Sequence, residues 1–103
     1  MNSLRTFYAA LGIEFTEEQH GDGPVHYAGR LGDVVFEIYP LSEDGPVADA
    51  TTRLGFSVEN MTKVVAALQT LGVAVVSPPQ STEWGCRAVV RDPDGRAVEL
   101  YQR

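Results

Sequence analysis

The chain says the same thing twice. Ala10-Leu11-Gly12-Ile13 and Thr70-Leu71-Gly72-Val73 each close a stretch whose apolar residues recur at helical spacing. Those residues are Leu4, Phe7, Tyr8 and Leu11 in the first copy, and Met61, Val64, Val65, Leu68 and Leu71 in the second. Each copy then ends on a strand that alternates apolar, Glu, apolar, Tyr: Val35-Phe36-Glu37-Ile38-Tyr39 and Ala97-Val98-Glu99-Leu100-Tyr101. Helix-ending glycine and strand glutamate are 25 residues apart in one copy and 27 in the other. One hairpin of altered length absorbs that difference. With 103 residues in all, the chain is a single domain built from a duplicated unit rather than two domains with separate histories.

Local signals fill in the units. Ser3 is expected to cap the first helix and Gly12 to end it. Strands are expected at 13–19, 25–31 and 34–39, separated by the turn cluster His20-Gly21-Asp22-Gly23-Pro24 and by Gly32-Asp33. Leu41 to Ala50, with Gly, Pro, Ser and acids and no periodicity, reads as a linker. A strand at 51–58 follows, then a helix capped by Asn60 and ended by Gly72. A short strand at 73–76 should stop at Pro78-Pro79, with a loop to Gly85. Strands at 86–91 and 97–101 flank the turn Asp92-Pro93-Asp94-Gly95. The organisation is one domain, 1–103: a first module over 3–40, a linker over 41–50 and a second module over 51–103. The second module is βαβββ. The first has only Met1-Asn2 before its helix and so is expected to lack its opening strand.

Composition limits the partners. The net charge of −6 repels phosphate backbones and excludes nucleic acid as a natural partner, while favouring neutral or cationic small molecules. No apolar run approaches the roughly 18 residues of a membrane span, and no signal segment is visible, so no membrane partner and a cytoplasmic location are expected. The single Cys86 has no partner for an intramolecular disulfide and reads as a strand thiol.

Strand alternation selects candidate residues. Val34, Phe36 and Ile38 share one face and suit packing against a helix; Val35, Glu37 and Tyr39 share the other. Val98 and Leu100 likewise oppose Ala97, Glu99 and Tyr101. Arg53, Gly55 and Ser57 oppose Leu54, Phe56 and Val58. Glu37 and Glu99 therefore stand in matching contexts on the faces turned away from the helices. They are either solvated strand carboxylates or a pair serving one cavity, able to ligate a divalent metal, act as general base or bind a cation. His26 joins the candidates if it faces the same side as Glu37, whereas His20, in the turn, reads as a surface residue. Trp84, beside Gly85, is either an aromatic lid or a buried loop anchor.

These motifs resemble the vicinal oxygen chelate superfamily of glyoxalases, bleomycin-resistance proteins and extradiol dioxygenases. Phe7-Tyr8-Ala9-Ala10-Leu11-Gly12 is similar to the family's helix end. The run from Arg91 through Asp92-Pro93-Asp94-Gly95 to Glu99-Leu100 is similar to its closing hairpin, and Pro78-Pro79 with Trp84-Gly85 fits a common loop. The resemblance implies an α+β fold of two βαβββ modules, the first lacking its opening strand, with cupped mixed sheets and helices on the outer face. In metal-using relatives, ligands come from the first and last strands of each module. Carried over, the last-strand positions are Glu37 and Glu99, the metal ligands if a metal is bound and the catalytic residues if a reaction is catalysed. Arg53-Leu54-Gly55-Phe56 stands where relatives have His-x-x-Phe. A guanidinium is permanently charged and donates only, so it cannot ligate a cation. Arg53 is instead expected to answer the carboxylates as an ion pair.

The resemblance thus implies a protein that binds a small molecule in the cup of its sheets without the family metal. Tyr39, Arg53, Ser57, Trp84, Tyr101 and His26 are the expected ligand-binding residues, and no cofactor is expected. One alternative is a lyase, isomerase or dioxygenase using a divalent metal (Zn, Ni, Mn or Fe). The other is an interaction module that pairs through an open sheet edge. A homodimer is expected, because relatives commonly pair and an unmatched edge needs covering.

Overall fold

A computed structural model describes residues 2–40 and 51–102. The expected linker, 41–50, lies outside the described residues. The chain divides into two compact units, Met1–Pro46 and Val47–Arg103.

The first unit comprises α1 (Asn2–Ala10), β1 (Phe15–Glu18), β2 (His26–Leu31) and β3 (Val34–Ile38). The helix begins at Asn2, so Ser3 lies inside its first turn rather than capping it. The Tyr27 hydroxyl donates to Asn2 Oδ1 at 2.9 Å and ties that end of α1 to the sheet. The Arg5 guanidinium lies 4.7 Å from the Tyr27 ring centroid, a cation–π contact on the same spot. The apolar stripe buries Phe7 and Tyr8, with Tyr8 against Phe36 at 4.8 Å between ring centroids. Removing such a side chain from water is worth about 1.5–3 kcal/mol. Gly12 terminates the helix at φ +103°, and Ile13 N donates back to Tyr8 O at 3.3 Å. The three strands are antiparallel in the order β1-β2-β3. Gly32, at φ +60°, supplies the first loop residue of the β2–β3 hairpin, as a type II′ turn requires.

The second unit comprises β4 (Leu54–Ser57), α2 (Met61–Thr70), β5 (Val75–Thr82), β6 (Gly85–Arg91) and β7 (Ala97–Gln102). Asn60 caps α2 by accepting from Lys63 N at 3.1 Å, and Gln102 Oε1 accepts from Met61 N at 2.5 Å. The helix ends like its counterpart, with Gly72 at φ +81° and Val73 N donating to Leu68 O. Met61, Val65 and Leu68 are buried, as are Ala88, Val90, Val98 and Leu100 of the sheet. Strand order is β4-β7-β6-β5, with β4 parallel to β7 and the other pairs antiparallel. The β6–β7 turn is locked by Asp92, which is buried, accepts from the backbone of Asp94 and Arg96, and pairs with the Arg96 guanidinium at 2.5 Å.

One expectation fails here. The strand expected to stop before Pro78-Pro79 continues through both prolines to Thr82. β5 is an edge strand, where a missing N–H costs no ladder bond, and register shifts around Ser77 and Gln80 accommodate the ring pair. β4 is shorter than expected and begins one residue after Arg53.

The architecture is α+β, two helices and two sheets whose strand order fits two βαβββ modules. In the second, β4 lies along the outer side of the closing strand. Among the described residues the first unit has no counterpart, and β3 ends its sheet. No helix of the described residues is long and apolar enough to cross a membrane.

Candidate functional site

In the second unit, register sets the face. Gly55 pairs with Glu99 and Ser57 with Tyr101 across β4–β7; Val89 pairs with Glu99 and Arg87 with Tyr101 across β6–β7. These side chains share one side, while Val98 and Leu100 are buried on the opposite one. A Cβ on Gly55 would lie 3.8 Å from Tyr101 Cε2, an ordinary contact that places the Tyr101 ring over β4.

Glu99 is the hub. Its Oε1 accepts from Arg53 Nη1 at 2.7 Å and from Arg87 Nη2 at 2.8 Å, and its Oε2 accepts from the Tyr101 hydroxyl. Three donors stabilise the ionised form. The Tyr101 bond, then those from Arg53 and Arg87, lower the Glu99 pKa from 4.5 to about 2. The same contact raises the pKa of Arg87, with Tyr101 adding to it. Of the expected pairing of Arg53 with both Glu37 and Glu99, the pair with Glu99 is present. Arg87 was not among the expected site residues, because seeing it requires the β6–β7 register.

Ser57 is exposed at the end of β4. Trp84 sits in the turn between β5 and β6 and is 75% exposed, which excludes the buried-anchor alternative. Its N–H donates to Thr82 Oγ1 at 3.2 Å.

In the first unit, Thr16 pairs with Ala28, Glu18 with His26 and Ala28 with Glu37, which puts Thr16, Glu18, His26, Ala28, Arg30 and Glu37 on one side. A hollow of about 480 Å³ lies over this face, lined by Glu14, Thr16, Glu18, Ala28, Arg30 and Glu37 among others. Three carboxylates against one guanidinium make it acidic.

His26 borders this surface but is only 1% exposed. Its ring stacks on Tyr39, with centroids 4.2 Å apart and planes 10° from parallel. Nδ1 lies 3.2 Å from Pro24 O. Nε2 makes no hydrogen bond and stands 3.6 Å from Glu18 Oε2 and 3.7 Å from Glu37 Oε2. His20, expected as a surface residue, is exposed, yet its Nε2 lies 3.6 Å from the same Glu18 oxygen. Tyr39 is half-exposed, and the neighbouring Glu37 carboxylate raises its pKa. Glu18 was not an expected site residue. A sequence signal existed in Glu18-x-His20 and His26 flanking a Gly-rich turn, but it needs the β1–β2 register to be read.

The family's metal positions can be tested against these contacts. Arg53 has no lone pair to offer, and Glu99 is held by two guanidinium groups and a phenol. A cation on Glu99 would have to displace two cations already there. Glu37, Arg53 and Glu99 do not fit a divalent-metal ligand set of the family type.

A family model described as Glyoxalase/Bleomycin resistance protein/Dioxygenase superfamily matches residues 1–100. No curated protein matches the chain. A glyoxylase/bleomycin resistance protein/dioxygenase domain from Frankia sp. is 26% identical, with 97% of this chain and 85% of that one covered at a TM-score of 0.69. A glyoxalase/bleomycin resistance protein from Albidiferax ferrireducens shares the fold at 22% identity and a TM-score of 0.73, covering 100% of this chain and 89% of that one. An antibiotic binding protein from a Streptomyces species does so at 23% identity and a TM-score of 0.68, covering 97% and 83%. With helix-ending glycines, closing Glu-x-Tyr strands and strand orders all in place, the chain belongs to the glyoxalase/bleomycin resistance protein/dioxygenase superfamily.

Proposed function

We propose that this protein binds a small molecule carrying positive charge on the acidic face of its first sheet, without the family metal and without catalysing a reaction. The observation that carries this reading is the capture of Glu99 by Arg53, Arg87 and Tyr101. A carboxylate held ionised by three donors is a poor metal ligand and a poor general base. The acidic hollow over Glu14, Glu18 and Glu37 supports a cationic ligand. The Streptomyces relative described as antibiotic binding makes antibiotics the first class to try.

The test is thermal shift of the purified protein against antibiotics and metabolites that differ in charge. Cationic aromatic compounds should raise the melting temperature, and Glu37→Ala should abolish the shift. Metal-dependent turnover lost on Glu99→Ala would overturn the proposal in favour of a glyoxalase-type enzyme.

A second reading is supported by the edge at β3. Val34 and Val35 are 60% and 51% exposed on a strand that ends its sheet. Pairing of two copies through this edge would cover both. A strict monomer by light scattering at micromolar concentration would remove it.

A further inference from the structure

We propose that Glu18, His20 and His26 of the first unit bind one divalent transition-metal ion of the zinc or nickel class. These are not the family's metal positions. Three observations converge on the site.

The first is an orphan. His26 is 99% buried, and its Nε2 has no hydrogen-bond partner. A buried nitrogen without a partner is costly and rare in a folded protein.

The second is the tautomer. A backbone carbonyl only accepts, so the contact between Nδ1 and Pro24 O is a hydrogen bond only if Nδ1 carries the proton. In the neutral ring Nε2 then presents a lone pair towards Glu18. Left alone, lone pair and carboxylate repel; a cation between them turns the repulsion into ligation. Metal-bound imidazoles are oriented this way, one nitrogen held by a carbonyl and the other on the ion. Stacking on Tyr39 fixes the ring plane as well.

The third is spacing. His26 Nε2 and His20 Nε2 each lie 3.6 Å from Glu18 Oε2, and donor atoms of all three residues lie within 4.8 Å of one another. That is long for a hydrogen bond. The two 3.6 Å separations suit the edge of a tetrahedron around an ion with bonds of about 2.0–2.2 Å, which is about 3.4 Å. Two imidazoles and a carboxylate are a borderline donor set that favours zinc or nickel over magnesium or calcium. The Glu37 carboxylate, 3.7 Å from Nε2 of His26, adds negative charge beside the ion. His20 is exposed and Glu18 is half-buried, so the fourth position opens to solvent on the His20 side.

The test is calorimetric titration of the untagged full chain with zinc chloride, repeated with cobalt chloride for its visible absorption. One ion per chain is expected. Loss of an outer-shell partner costs about 10–100-fold in affinity, so losing a ligand in His20→Ala should cost ~100-fold or more. His20 is exposed, so this variant should keep the parent's circular dichroism and melting temperature in the absence of metal. Glu18→Gln should weaken binding similarly, and Glu99→Gln should leave it unchanged. No saturable binding by the parent would overturn the proposal. So would binding that survives His20→Ala and fails in Glu99→Gln, which would return the metal to the family positions.

Discussion

The two units carry the same Glu-x-Tyr sequence on their closing strands and surround it with opposite chemistry. In the second unit, Glu99 meets two arginines and the hydroxyl of Tyr101. In the first, Glu37 meets Tyr39 and a buried imidazole, and no arginine pairs with it among the described residues. On the second face two guanidiniums more than offset the carboxylate; the first keeps its negative charge for something else. A duplicated framework can thus divide its labour by changing what the neighbouring strands present, leaving the closing strands alike.

The largest expected break in this comparison concerns packing. A Cβ on Gly29 would lie 2.6 Å from Ile13 Cγ2 and 3.1 Å from Glu14 O, whereas one on Gly55 meets only Tyr101 at 3.8 Å. Gly29→Ala should cost about 1–3 kcal/mol through overpacking, and Gly55→Ala should stay within ~0.5 kcal/mol. Urea unfolding checks both, and equal effects would mean that the first unit yields where it is drawn as tight.

Next come the carboxylates. Glu99→Gln should lose about 1–2 kcal/mol, an amount already discounted for partial solvent screening, while Glu37→Gln should change stability by less than ~0.5 kcal/mol. The pH dependence carries a definite sign. Glu99 has a folded pKa of about 2 against an ordinary value of 4.5. Its contribution is therefore present above 4.5 and lost as pH falls from there towards 2. Melting temperatures across that window should fall in the parent and fall less in Glu99→Gln; parallel curves would contradict the assignment.

The smallest effect is expected for Arg53→Ala. Arg53 is half exposed and Arg87 still pairs with Glu99, so about 0.2–1 kcal/mol should be lost, and less at high salt. A larger loss would show that Arg53, not Arg87, holds the hub.

Much of this was legible in the sequence. Helix ends at Gly12 and Gly72, the cap at Asn60 and the opposition of Glu99 to Val98 and Leu100 follow from period and parity, and the answering Arg53 from the family resemblance. What was not legible depends on register. Arg87 reaches Glu99 only because β6 pairs with β7 so that Arg87 faces Tyr101, and His26 meets Glu18 only through the β1–β2 ladder. Pro78-Pro79 was misread for a related reason: a proline pair stops a central strand but not an edge, and local sequence does not say which a strand will be.

Those two prolines also bear on how the protein behaves in a crowded solution. An edge strand is a template on which a foreign strand can grow, one hydrogen bond at a time. Pro78 and Pro79 offer no N–H to such a visitor, and the register shifts beside them break the even spacing it would need. Strand addition along β5 is interrupted at its middle, which disfavours runaway polymerisation there. A residue pair that looked like the end of a strand is the end of the sheet.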